Sequence, residues 1–180
     1  FEVFTKDSKT IIIGSSALAD EKMLIPLIEK LKSQNIKWVI VPHEIDRDFS
    51  HFKNANLYTQ NNTTNSNVLI VNAIGLLSSI YKYCDIAIVG GGFSKMGIHN
   101  IIEPAIFGLP VLYGPNDRDY PESKALLSEG QAFQFNNEEE LEERITNLIT
   151  QNRSFESAYI KNNKTASHKI LKDLENRFNF

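Results

Sequence analysis

Short, nearly continuous apolar runs recur along the chain, each followed by turn residues and then by a stretch of helical spacing. They are Thr10-Ile11-Ile12-Ile13, Trp38-Val39-Ile40-Val41, Val68-Leu69-Ile70-Val71, Ile86-Ala87-Ile88-Val89 and Pro110-Val111-Leu112-Tyr113. A strand exposed on one face alternates apolar and polar residues; these do not, so both of their faces must be covered. That pattern predicts an α/β fold: a Rossmann-like parallel sheet with helices on both faces. Helical periods follow at Leu24, Leu27, Ile28 and Leu31 after Asp20, and at Leu76, Leu77, Ile80 and Tyr81. Further helices are expected over 121–129 and 138–151, and one from Asn100 to Gly108. Ile45, Phe49 and Phe52 predict another helix, Leu57-Tyr58-Thr59 a short strand and Ala132-Phe133-Gln134-Phe135 a last strand. Residues 153–180 read as a polar helical tail that packs back on the domain, with Lys161, Lys164, Lys169 and Lys172 on a solvated face.

The 180 residues suit one domain, and no internal repeat or linker divides them. With 42% hydrophobic and 23% charged residues the chain reads as an ordinary soluble globular protein. A net charge of -3 lacks the basic excess of a nucleic-acid binder, so no nucleic-acid partner is expected. No apolar run approaches the roughly 18–20 residues of a membrane span. The lone Cys84 has no partner for a disulfide or a zinc site of usual spacing, and fits a reducing compartment. His43, His51, His99 and His168 show no ligand spacing, so no metal is expected. The segment 60–67 reads as a solvated loop, its Asn-x-Thr sequons at Asn61 and Asn62 unglycosylated. The chain opens Phe1-Glu2-Val3 without an initiator Met and reads as a piece of a longer protein.

In a doubly wound sheet, ligands bind beyond the carboxyl ends of the strands, where the strand order reverses. The post-strand segments therefore carry the chemistry. Gly14-Ser15-Ser16 offers hydroxyl and backbone donors to a phosphate or carboxylate, or forms a simple turn capped by Ser16 or Asp20. Pro42-His43-Glu44 is either a ligand contact or a turn. In Asn72-Ala73-Ile74-Gly75, Gly75 permits close backbone approach and Ile74 offers an apolar wall for a flat ring; a tight turn is the plainer reading. The richest segment is Gly90-Gly91-Gly92-Phe93-Ser94-Lys95-Met96-Gly97-Ile98-His99-Asn100-Ile101-Ile102-Glu103-Pro104-Ala105. Its glycines clear the strand end, a helix beginning near His99 or Asn100 suits a phosphate, and Glu103 is placed to accept from two ribose hydroxyls. Asn100 and Glu103 also have the spacing of a capping box, but such a box requires neither the glycine run nor His99. The segment is neither a dinucleotide fingerprint nor a Walker motif, and no G-x-S-x-G elbow occurs. Asn116 and Asp117, after Tyr113-Gly114-Pro115, are open to either ligand contact or turn chemistry.

The Gly90–Ala105 run with the later Gly108-Leu109-Pro110-Val111-Leu112-Tyr113-Gly114-Pro115-Asn116 resembles the donor half of the 3-deoxy-D-manno-octulosonic acid (Kdo) transferases of bacterial lipopolysaccharide synthesis. The Gly-x-His-Asn-x-x-Glu core carries the resemblance, which extends from about Ile11 to Leu148. It implies the C-terminal half of a GT-B glycosyltransferase, binding the nucleotide sugar CMP-Kdo as donor. The lipid A precursor, the catalytic carboxylate base and the membrane contact would belong to an N-terminal domain upstream. No catalytic residue is therefore expected here, no metal or cofactor is implied, and the complete protein would work at the cytoplasmic side of the inner membrane. The implied donor contacts are Ser15, Ser16, Pro42, His43, Ile74, Gly75, Gly91, Gly92, Ser94, Gly97, His99, Asn100 and Glu103.

The chain departs from that pattern twice. Many members have Arg after the proline of the second strand, where this chain has His43, and Glu after the glycine of the Asn72–Gly75 turn, where it has Leu76. Both changes remove charge near the expected ligand, leaving Ser15, Ser16, backbone donors and Lys95 to meet a phosphate. Whether His43 replaces the Arg stays open. Three other functions remain alongside: a UDP-sugar transferase, a UDP-N-acetylglucosamine 2-epimerase domain, and a nucleotide-binding module without chemistry.

Overall fold

The computed structural model describes residues 1–60, 66–151, 154–163 and 165–178. Seven parallel strands form one sheet in the order β3-β4-β2-β1-β5-β6-β7. They are β1 (Lys9–Ser16), β2 (Ile36–Pro42), β3 (Asn56–Leu57), β4 (Val68–Ile70), β5 (Ile86–Val89), β6 (Val111–Tyr113) and β7 (Ala132–Gln134). The helices are α1 (Glu2–Thr5), α2 (Leu18–Lys30), α3 (Leu77–Ile80), α4 (Ile102–Ile106), α5 (Pro121–Ser128), α6 (Glu138–Thr150), α7 (Ala158–Asn163) and α8 (Ala166–Phe178).

The continuous apolar runs behave as their composition demands. Ile11 and Ile13 of β1 face one hydrophobic cluster with Leu24, Leu27 and Ile28 of α2 and Leu141, Ile145 and Leu148 of α6. Ile12, between them, faces the opposite cluster with Val39, Leu69, Ile80 and Tyr81. All three isoleucines are fully buried. Across β6, Val111 and Tyr113 meet Ala105 of α4, Leu126 of α5 and Ile160 of α7. Period-two alternation thus separates two helix layers rather than core from water.

Three sequence expectations are corrected. No helix forms around Ile45, Phe49 and Phe52. The Asp48 carboxylate accepts from the Ser50 amide (2.9 Å) and the Ser50 hydroxyl (2.5 Å), a local turn that competes with helical bonding, and Asn54 is left-handed. Phe49 and Phe52 are still buried, as a looped-in pair. The helix expected from Asn100 begins only at Ile102 and has five residues, because the Asn100 Oδ1 accepts from the Ile102 amide and takes up the first turn. The tail divides: α7 docks through buried Ile160 and through Glu129, which accepts from the Tyr159 amide (3.0 Å) and the Ser157 hydroxyl. The described side chains of α8, residues 169–177, are exposed rather than packed back, Ile170, Leu171 and Leu174 among them. The sequons at Asn61 and Asn62 lie outside the described residues. Among the described residues no helix is long and apolar enough to cross a membrane.

Candidate functional site

The strand order reverses between β1 and β5, since the chain runs outward to β2 and β4 on one side and to β6 and β7 on the other. That junction leaves a crevice at the carboxyl edge, walled by the turns after β1, β2 and β5. The Gly90 amide donates to the Gly14 carbonyl (2.9 Å) and the His43 amide to the Ser16 carbonyl (3.0 Å), so the three turns are laced together by backbone.

The glycine run is shaped by its own neighbours. A Cβ on Gly90 would lie 2.4 Å from the Ser15 carbonyl oxygen, and one on Gly92 would lie 2.6 Å from the Gly114 backbone. Gly91 has φ +93° and would strike the Gly97 carbonyl oxygen. The loop closes on Asp20, only 3% exposed, whose carboxylate accepts from the Gly91 and Ala17 amides (both 2.8 Å) and from the Phe93 amide (3.4 Å). These loop donors are therefore spent on a protein carboxylate. Asn116 ties the same loop from β6: its amide donates to the Gly92 carbonyl and its side chain to the Ser94 carbonyl (2.8 Å). Asp117 accepts from the Asp119 amide and the Ser123 hydroxyl (2.9 Å each), so turn chemistry occupies it.

Beside Asp20 stands a second acid that sequence reasoning passed over. Glu21 is fully buried, and its carboxylate gathers the Ser16 hydroxyl (2.6 Å), the Arg47 guanidinium and the His51 Nε2 (2.8 Å). Arg47 lies with its Cζ 4.6 Å from the Phe49 ring centroid, and its side chain is 12% exposed. A buried ion pair of this kind depends on hydrogen bonds to offset its desolvation; Glu21 has three partners, while the buried Arg47 Nη1 has none among the described residues. Arg47 enters the crevice from the segment read as a helix.

Around this cluster is a cavity of about 160 Å³ lined by Ser16, Ala17, Leu18, His43, Glu44, Arg47, Ser94, Met96 and His99. The structure thus brings together four of the sequence-derived contacts, Ser16, His43, Ser94 and His99. Ser15 (φ +55°), Pro42, Gly91, Gly92 and Gly97 shape the backbone around them. The His43 and His99 rings stack with centroids 4.6 Å apart. Burial holds His99 below the usual imidazole range, the neighbouring His43 adds to that, and Asp20 pulls the other way. Ile74, Gly75, Asn100 and Glu103 do not line this cavity. Glu103 is half-buried and accepts from the Asn100 side chain (3.3 Å), while Ile74 stands 85% exposed. Among the described residues no group of three or more His, Cys, Asp or Glu side chains could hold a metal ion.

No protein-family model matches the chain. Individual proteins do. It is 32% identical over 152 residues to the 3-deoxy-D-manno-octulosonic acid transferase of Aquifex aeolicus, covering 78% of this chain and 42% of that protein. It is 29% identical over 167 residues to the transferase of the same name from Rickettsia felis, covering 86% and 36%. The chain is similar in sequence to these Kdo transferases. It spans less than half the length of these relatives. A bifunctional glycosyltransferase/methyltransferase of Fusobacterium nucleatum is 26% identical over 180 residues, covering 92% of the chain and 28% of that protein. The fold is that of the C-terminal CMP-Kdo binding domain of WaaA from Acinetobacter baumannii, with a TM-score of 0.74 at 17% identity, covering 93% of this chain and 91% of that domain. The Rossmann-like parallel sheet expected from the sequence is the architecture found.

Proposed function

We propose that residues 1–180 form the donor-binding unit of a glycosyltransferase that moves Kdo from CMP-Kdo to a lipid A precursor. α7 and α8 form its helical tail. The observation that carries this reading is the cavity at the β1/β5 junction, in a chain whose relatives are Kdo transferases. In the proposed complex the donor phosphate meets Ser16, Ser94 and the two histidines. The nucleoside runs along the strand ends toward Asn100 and Glu103, whose carboxylate accepts from the ribose hydroxyls. Polar groups held rigidly around the leaving phosphate stabilise the negative charge it gains as the glycosidic bond breaks. The base that activates the acceptor hydroxyl, the acceptor site and the contact with the cytoplasmic face of the membrane belong to an additional acceptor domain.

Calorimetric titration of cytidine and uridine monophosphates tests the proposal. CMP is expected to bind more tightly than UMP, and Glu103→Ala to weaken CMP by about tenfold or more, the value of hydrogen bonds to a charged acceptor. Equal binding by wild type and Glu103→Ala overturns the ribose assignment. A preference for UMP replaces the donor with a UDP-sugar, and binding of neither nucleotide overturns the proposal.

A further inference from the structure

We infer that the stacked His43–His99 pair is a proton-coupled anion site, in which one imidazolium supplies the charge that meets the phosphate of the donor. The inference rests on the donor-binding reading above and names the groups that recognise the anion.

Charge counting around the cavity leads there. Arg47 is the cation on the cavity wall; Glu21 matches its charge through Nη2, while its buried Nη1 has no partner among the described residues. Glu44 lines the same wall, and Asp20 lies behind His99. Lys95 is exposed and outside the lining, and Arg118 donates to its backbone carbonyl (3.0 Å) instead of facing the cavity. With neutral histidines, the groups facing the pair carry two carboxylate charges in excess, Asp20 and Glu44, which oppose an anion. The imidazoles can add the positive charge that the neutral Arg47–Glu21 pair does not. Both histidines line the cavity, and among the described residues no ring nitrogen of either has a hydrogen-bond partner. Two stacked rings 4.6 Å apart repel when both are charged, so the pair takes up one proton rather than two. An anion against the pair favours the protonated form. The bound state then holds more protons than the free state, and affinity falls as pH rises through the histidine range.

The test uses the methyl ester of cytidine 5′-phosphate, a phosphodiester whose single charge is constant between about pH 5 and 9. Calorimetry in buffers of different ionisation enthalpy counts the protons taken up. Wild type is expected to take up a substantial fraction of one proton near neutral pH and to bind about tenfold more weakly at about pH 8.5 than at about pH 6. The double variant His43→Gln/His99→Gln, its fold checked by circular dichroism and melting, is expected to take up none and to bind with the weak high-pH affinity of wild type throughout. Binding without proton uptake, or uptake that persists in the double variant, overturns this inference and leaves the donor reading standing. An ester that does not bind at any pH overturns the donor reading and this inference with it.

Discussion

The turns after β5 and after β4 are both glycine-bearing and both lie on the carboxyl edge, yet glycine does different work in each. At Gly90 and Gly92 an added Cβ would run into backbone, because the turns after β1, β5 and β6 are packed against one another. At Gly75 nothing lies within 4 Å of the added atom, and only the positive φ of +83° asks for glycine. One turn is a construction joint; the other is an open bend. The crowded turn coincides with buried carboxylates and the cavity, whereas the open one carries an apolar side chain into solvent. A functional crevice in this fold is recognised by the density of its scaffolding more than by the presence of glycine.

Substitutions can break that contrast. The largest effect is expected from Glu21→Ala, which strands the guanidinium of Arg47 and leaves the Ser16 hydroxyl and His51 without their acceptor. Removing one partner of a buried ion pair costs about 3–5 kcal/mol, to be read as a lowered midpoint in urea unfolding. Gly90→Ala comes next, at about 3 kcal/mol, because the clash at 2.4 Å is with backbone that has no rotamer in which to escape. Gly75→Ala is expected to cost only about 1–2 kcal/mol, the strain of a left-handed residue with free space around it. A Gly75→Ala variant as unstable as Gly90→Ala would dissolve the distinction, and so would a Glu21→Ala variant that unfolds like wild type.

Much of the architecture was legible because it rests on short-range pattern. Runs such as Ile11-Ile12-Ile13 cannot show a polar face to water, so the two-sided sheet follows from them directly. The segment 43–55 was not legible in the same way. Ile45, Phe49 and Phe52 keep a helical period, but the side chain of Asp48 bonds to Ser50 and the turn wins. Arg47 and Glu21 carry no spacing signal in the sequence. They meet through tertiary contacts, and such pairs are invisible until the strands are ordered. Asp20 was read as a helix opener, and it does bond back to the Ala17 amide, but the same carboxylate also holds the loop after β5. His43 and His99, singled out separately after two different strands, are brought face to face by the β2-β1-β5 order.

The bond from the Gly91 amide to Asp20 spans 71 residues of chain. Contacts of such sequence separation close late, since the loop between them must first give up its freedom. The cavity at the β1/β5 junction is built from distant stretches of chain, and neither half of the sequence contains it. A nucleotide held there would recognise only the finished sheet, and its occupancy would add to the stability of the whole fold rather than of one edge.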